Sequence, residues 1–411
     1  SATQEVYKQN HFRLSPENRF CHVHTIEEIR DIFESHVDEL TTEELHGAIA
    51  KCAALDHIEM CWILFEFAKS KYRLNADIFY RMIVVLTRSK VYQNETKVMQ
   101  IYHQLRSEMD AYAISPTYKF ITACFALLTK YQQWSEAQNI WNTLKQSQSE
   151  LLLDVATWNA YFNLCIKQAS QTQSETDAGC NNIEQLTNIL KLVHEMRTEH
   201  LVTPNFVTYG TLIYGAARFL KRQIRFEQSQ HSAVQHGHDG ERKNRRSKKQ
   251  AEIVKIGECL FEQYQQQLSD GPHTNVYNAM IDMYGNYGNT DKCMEYMQVT
   301  IKKELSKQRQ SGGRVRCTGK HAVSRERTGM YYIQEYVFDE RSVRTSVGAS
   351  IKSVINNDEI SYEDGWKLVE YLVEEVLKKR CGLKPDVVLY AQLFHCCGAF
   401  GKEHVDVKKM R

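Results

Sequence analysis

The stretch P-H-T-N-V-Y-N-A-M-I (272–281), which runs on as D-M-Y-G-N-Y-G-N-T-D-K-C-M-E-Y-M to residue 297, decides how the chain folds. Proline lacks an N–H and disfavours helix in the residue before it, so Pro272 closes whatever helix precedes it. Tyr277 then falls on the first turn of a new helix, with Met280 and Ile281 three and four residues on, and this spacing places all three on one face. A Gly-containing turn at Gly288 separates that helix from a second one with its own apolar spacing. The same punctuation occurs in P-N-F-V-T-Y-G-T-L-I (204–213) and P-D-V-V-L-Y-A-Q-L-F (385–394), so three of the five prolines stand five residues before a tyrosine. Thr208 and Asn275 offer side-chain oxygens near the helix starts. A segment that recurs with its punctuation intact is the signature of a repeat protein.

Worn copies lie upstream. Trp158 precedes Tyr161 and Phe162, Tyr118 precedes Ile121, Phe79 precedes Met82 and Ile83, and Leu45 replaces the aromatic ahead of Ala48 and Ile49. From Leu45 the anchors are 34, 39, 40, 51, 68 and 113 residues apart, a helical-hairpin period that lengthens through insertions. Amphipathic helices fill the intervals at 57–70, 135–145, 252–266 and 289–304. No Asn-Gly or Asp-Gly hairpin turn separates alternating strands. The expected fold is all-α, a right-handed solenoid of helix-turn-helix repeats with two large insertions. An N-terminal extension with a first helix occupies 1–40, and repeats occupy 41–305 with an insertion at about 222–250. A second insertion at 306–350 holds a β-like alternation, M-Y-Y-I-Q-E-Y-V-F (330–338), and C-terminal repeats occupy 351–411.

The run P-D-x-x-x-Y-[NA]-x-[LM]-I, followed by a Gly turn and a second helix, resembles the pentatricopeptide repeat, most fully at 275–297 and in half-copies at 205–221 and 385–402. The tetratricopeptide pattern fits less well, because its Trp-Leu-Gly-Tyr helix is absent. The resemblance implies an organellar, RNA-associated protein whose repeats each present two side chains to one base. The implied positions are the residue after the anchor and the residue four before the next anchor. They pair His46 with Asn75, Tyr80 with Ile114, Lys119 with Asp154, Asn159 with Asn205, and Gly210 with His273, leaving Asn278 and Ala391 without an assigned partner. Only Asn159 with Asn205 offers two amides that can both donate and accept to a base edge. The other pairs read as well as ordinary repeat surface, and a set this eroded suits a scaffold better than a sequence reader.

Charge sharpens that reading. The formal net charge is only +2, too small for bulk coating of nucleic acid, but it is unevenly distributed. Residues 27–66 hold eleven acidic side chains. By contrast, E-R-K-N-R-R-S-K-K (241–249) carries Arg242, Lys243, Arg245, Arg246, Lys248 and Lys249, and the second insertion carries Arg314, Arg316 and Lys320 among others. Such segments are either solvated loops or arms that neutralise RNA phosphates, giving affinity without base specificity.

Twelve cysteines are scattered without any C-x-x-C, which reads as reduced core residues rather than a disulfide frame or zinc site. No run of eighteen apolar residues exists, so no membrane helix is expected. The chain begins at Ser1 without methionine, as removal of a targeting peptide would leave it, and a mitochondrial matrix location is the expectation. S-G-G-R-V-R-C-T-G-K-H (311–321) fails as a phosphate loop because its spacing is one residue too long and His321 replaces the Ser/Thr. His231, His236 and His238 lack the carboxylate frame of a metal site. The zinc-deaminase pattern and a nuclease aspartate cluster are both missing, and stripes such as Trp62–Phe65–Phe67 and Trp134–Trp141 read as core. No catalytic residue, cofactor, metal or small-molecule substrate is therefore expected. RNA and ribonucleoprotein proteins are the expected partners. The leading expectation is a non-catalytic structural component of the mitochondrial ribosome, ahead of a free organellar RNA factor or a protein-only scaffold. The helix starting at Tyr390 is followed only by H-V-D-V-K-K-M-R (404–411), so a continuation or a covering partner is expected at that end.

Overall fold

The computed structural model describes residues 18–72, 74–89, 94–171, 182–234, 247–267, 273–310, 339–357 and 360–400. Among them there is no strand, and the chain divides into two compact units. The first comprises 1–168 and 195–203, the second 169–194 and 204–411.

In the first unit, α1 (Ile26–Ser35) leads into three hairpins: α2 (Thr42–Ala54) with α3 (Ile58–Lys71), α4 (Ala76–Arg88) with α5 (Glu95–Ala111), and α6 (Tyr118–Lys130) with α7 (Trp134–Gln146). A 3₁₀ turn (Glu150–Leu153) precedes α8 (Val155–Gln171). The first helices of the hairpins pack side by side, α2 on α4 and α4 on α6, so they form a layer with the second helices outside it. Each start has a chemical cause. Thr25 and Thr41 make reciprocal capping boxes with Glu28 and Glu44, while Asn75, Asn94 and Thr117 cap their helices with side-chain oxygens. The core of this unit culminates in an aromatic cluster. Trp141 stacks on Tyr161 at 3.9 Å and meets Trp158 edge-on at 4.8 Å, beside Phe125.

The second unit repeats the scheme with α9 (Asn182–Thr198, whose last residues belong to the first unit), α10 (Phe206–Val234) with α11 (Lys248–Gln266), and α12 (Thr274–Tyr287) with α13 (Thr290–Gln310). Next come α14 (Glu340–Ile355) with α15 (Tyr362–Glu370), which continues as a wide helical segment (Tyr371–Arg380), and finally α16 (Val387–Phe400). The layer of first helices here runs α10, α12, α14, α16. The rows approach closely where side chains are small. A Cβ on Gly285 of α12 would lie 2.7 Å from the Ala349 carbonyl oxygen of α14. One device recurs in both units: Cys61 of α3 donates to the Ile49 carbonyl at 3.7 Å, and Cys293 of α13 donates to the Ile281 carbonyl at 3.3 Å, each twelve residues back. Cys52, Cys61, Cys124, Cys293 and Cys381 are thus buried packing residues, with burial pushing the Cys293 thiol up to about 12, while Cys259 is exposed.

Three sequence expectations are corrected by these boundaries. First, α14 is a repeat helix that the aromatic pattern does not find, and it lies partly inside the segment read as an insertion (306–350). Its buried side interleaves Ser342, Ser346, Ser350 and Ser353 with the aliphatic stripe Val343, Val347, Ile351 and Val354, and carries no aromatic residue. Hydroxyls of Ser346 and Ser350 donate to the carbonyls of Ser342 and Ser346 at 2.9 Å, which satisfies the polar atoms and lets them bury. Val343 holds the anchor position. The β-like run at 330–338 lies outside the described residues. Second, the insertion read at 222–250 is narrower, because α10 continues to Val234 and α11 starts at Lys248. Third, Tyr118 is not the anchor of its hairpin. It is the first residue of α6 and 40% exposed, whereas Ile121, four residues after the Thr117 cap, is buried. Cap-to-anchor spacing of four is shared by Leu45, Phe79, Ile121, Trp158, Tyr209, Tyr277, Val343 and Tyr390, so the cap, not the aromatic, sets the register.

Candidate nucleic-acid interface

The positions implied to read bases are used by the protein itself. His46 is only 8% exposed, its Nε2 is buried without a hydrogen-bond partner, and burial reinforced by the Arg81 guanidinium pushes its pKa down to about 4 against the pull of Asp77. Both of those charges stand on α4, so His46 faces the seam between α2 and α4. Gly210 faces a seam of the second unit, where an added Cβ would meet Val276 of α12 at 3.7 Å. Asn278 accepts a 2.7 Å hydrogen bond from Ser346 of α14. Asn159 is buried on α8, Tyr80 is half-buried and Ala391 is exposed. At His46, Gly210 and Asn278 the residue after the anchor is therefore a seam residue between successive first helices.

The partner positions are helix caps. Asn75 accepts from the Ile78 N–H, Asp154 from the Ala156 N–H and Asn205 from the Thr208 N–H and hydroxyl. His273 has a different occupation: its ring stacks on Phe206 at 4.1 Å and its N–H donates to the Tyr264 hydroxyl. Ile114 and Lys119 lose their assignment with the corrected register, which transfers it to Thr117 and Thr122. Thr117 caps its helix through the Phe120 N–H. Asn159 and Asn205, the one amide pair, fall in different units. Arg242, Lys243, Arg245, Arg246, Arg314, Arg316 and Lys320 lie outside the described residues. Lys248 and Lys249 are exposed in the first turn of α11.

Aligning the helices on their caps brings out a pattern that aligning on aromatics hides. Thirteen residues after the cap stand Arg88 on α4, Lys130 on α6 and Lys167 on α8 in the first unit, and Arg218 on α10 and Lys352 on α14 in the second. Only Asn286 of α12 interrupts the series between α4 and α14. The shared register puts Arg88, Lys130, Lys167 and Lys352 near the C-terminal ends of their helices, where positive charge interacts favourably with the helix dipole, while Arg218 lies midway along the longer α10. Lys130 shows the local use, donating to the Thr87 and Ser89 carbonyls that end α4. In the second unit Asn286 donates to the Ala217 carbonyl, while Lys352 binds the Asn286 amide oxygen and lies 3.7 Å from Asp282. Burial holds the Lys352 ammonium below its ordinary range, Asp282 resists this, and Lys221 and Arg225 add to it. Three cations against one carboxylate make this part of the α10–α14 layer positive.

A row of helical hairpins with a cation at one register of several first helices defines a helical-repeat protein. No protein-family model matches the chain, and no curated protein matches it. Among solved structures, it is similar to the pentatricopeptide repeat protein PPR10 in complex with an 18-nt psaJ RNA element, with 15% identity and a TM-score of 0.35 over 90% of this chain and 55% of that one. It is also similar to PPR10 from maize, with 14% identity and a TM-score of 0.24 over 97% of this chain and 66% of that one. The chain thus spans 55% to 66% of the length of these structures.

Proposed function

We propose that the protein is an RNA-associated helical-repeat scaffold, held in a ribonucleoprotein through backbone contacts and without a catalytic role. The observation that carries the reading is the cap-plus-thirteen register, which places Arg88, Lys130 and Lys167 on three first helices of the first unit and, separately, Arg218 and Lys352 on two of the second. A regular series of cations matches the regular charge of a phosphate backbone, and such contacts position a partner without reading its sequence. Seam and cap positions occupied by intramolecular bonds argue against one-base-per-repeat readout. The finer reading is a structural component of the mitochondrial ribosome in the matrix, in contact with ribosomal RNA and neighbouring proteins, because contacts in a fixed assembly need no code.

The test is RNA binding by fluorescence anisotropy across a salt series. Arg88→Glu, Lys167→Glu and Arg218→Glu together are expected to weaken binding to every RNA alike. They should also make the slope of log K against log salt shallower by about 0.7–0.9 for each phosphate no longer neutralised. An unchanged slope in the folded triple variant overturns this register as the RNA-facing surface. Sedimentation of tagged protein from mitochondrial lysate tests the finer reading. Comigration with a ribosomal subunit at high salt is expected, and a light, RNase-sensitive fraction refutes it.

A further inference from the structure

The longest helix of the second unit carries a face that its packing leaves open. From Phe206 to Phe226, α10 contains Arg218, Lys221, Arg222 and Arg225 and no Asp or Glu. Arg222 is committed, since it donates to the Ala169 carbonyl. The first carboxylate, Glu227, is occupied at the start of α11, where Ser247 and Gln250 donate to it. Tyr214, Arg218, Lys221 and Arg225 stand at i, i+4, i+7 and i+11, which is one face of a helix. Leu212, Ala216, Phe219 and Leu220 form the opposite face and are fully buried. Tyr214 is 37% exposed, and the Arg218 guanidinium lies 5.7 Å from the centre of its ring. Among the described residues no carboxylate pairs with Arg218, Lys221 or Arg225, whereas Lys145 pairs with Glu195 and Lys292 with Glu258. After burial, Lys221 and Arg225 are the cations that press on Lys352 of α14, so the stripe continues the positive field of that layer.

We propose that this stripe is a track for single-stranded RNA. Tyr214, with Arg218 over its ring, stacks on a base, and Lys221 and Arg225 neutralise the phosphates that follow along the helix axis. The proposal rests on the RNA-associated reading above and adds a site that shares only Arg218 with the cap-plus-thirteen register. An aromatic ring among cations is how proteins hold a single strand without reading its sequence, since every base has a face to stack on and every nucleotide a phosphate. A duplex keeps its base faces stacked internally, and an acidic peptide would meet the cations but leave the ring unused. The length of α10 makes the track particular to this helix. Lys221 and Arg225 lie sixteen and twenty residues after Asn205, and no other first helix, as described, reaches the second of these positions. From Tyr214 to Arg225 the stripe runs about 16 Å along the axis, at a rise of about 1.5 Å per residue.

The experiment titrates the full chain with a labelled oligouridylate, and with an oligoadenylate carrying a fluorescent purine analogue whose emission stacking quenches, across a salt series. Tyr214→Ala is expected to weaken binding about 5- to 100-fold and to abolish the quenching, with the slope of log K against log salt unaltered. Tyr214→Phe restores both readouts. Lys221→Gln with Arg225→Gln is expected to make the slope shallower by about 0.7 for each cation and to leave the quenching in place. These three side chains are exposed, so circular dichroism and urea unfolding of the variants should match those of the unaltered chain. A Tyr214→Ala protein that binds and quenches like the unaltered chain overturns the track, and so does a double variant with an unchanged slope. If Arg88→Glu with Lys167→Glu still changes the slope in that series, the RNA-associated reading survives the failure of the track. If the unaltered chain binds neither RNA, both fall.

Discussion

At Leu201 the backbone is left-handed, with φ of 54°, and the side chain is 84% exposed. An L-residue in this region crowds its Cβ against the following carbonyl at a cost of about 1–2 kcal/mol, which glycine avoids. Asp56, Ala113, Gln132 and Gln148 adopt the same conformation at hairpin and helix ends. Leu201→Gly is therefore expected to raise unfolding stability by about 0.5–1 kcal/mol, glycine's extra unfolded-state entropy taking back part of the relief. Urea unfolding measures it. The converse holds at Gly288, with φ of 77° and an added Cβ 2.2 Å from the Asn356 carbonyl oxygen, so Gly288→Ala is expected to cost more than about 2 kcal/mol. His46 gives a pH prediction. Its folded pKa of about 4 lies below the ordinary 6.5, so the unfolded chain takes up a proton first as pH falls. Stability is then lost from about pH 6.5 down to about 4, by up to about 3 kcal/mol, and His46→Asn flattens that limb of a stability-against-pH curve.

Elements are joined by carboxylates, one of them fully buried, as well as by apolar faces. Glu304, at the end of α13 and fully buried, accepts from the Thr274 hydroxyl at 2.7 Å and from the Asp339 N–H at 3.0 Å, tying the starts of α12 and α14 together. Glu227 on α10 does the same for the start of α11, accepting from Ser247, Gln250 and Gln223. Removing such an acceptor strands buried donors. Glu304→Ala is expected to destabilise by about 2–3 kcal/mol, and hydrogen exchange in α14 should accelerate more than in α10. An even loss of protection across the second unit contradicts the local role. The first unit depends on its aromatic cluster, and Trp141→Ala is expected to cost about 3–5 kcal/mol in thermal or urea unfolding. Helices with aromatic anchors were legible in the sequence because periodic large apolar residues have one physical use. The helix α14 was not, because its valine and isoleucine stripe has no aromatic anchor and is interleaved with serines whose hydroxyls bond back to their own helix and bury once packed.

For the molecule as a whole, repetition of the hairpin and repetition of function follow different rules. The apolar register that stacks one hairpin on another is a local requirement, met within each segment of about 35–50 residues. Proline closures, caps and i, i+3, i+4 triads state it directly, so the all-α repeat fold and most hairpin starts were legible in the sequence, the register at Tyr118 and the helix α14 being the exceptions. What each surface position does was not. His46, Asn75, Asn205, His273 and Asn278 look alike in a linear register as polar residues at regular spacing, yet the tertiary structure commits them to seams, caps and a ring stack. The shared cation register appears only when the true caps align the helices, and the open face of α10 only when its opposite side is seen to be buried. Sequence decides which residues must be buried, since burial is enforced by the hydrophobic effect along a single helix. Tertiary packing alone decides which polar groups remain to meet a partner, because their intramolecular bonds come from residues as many as 71 positions away.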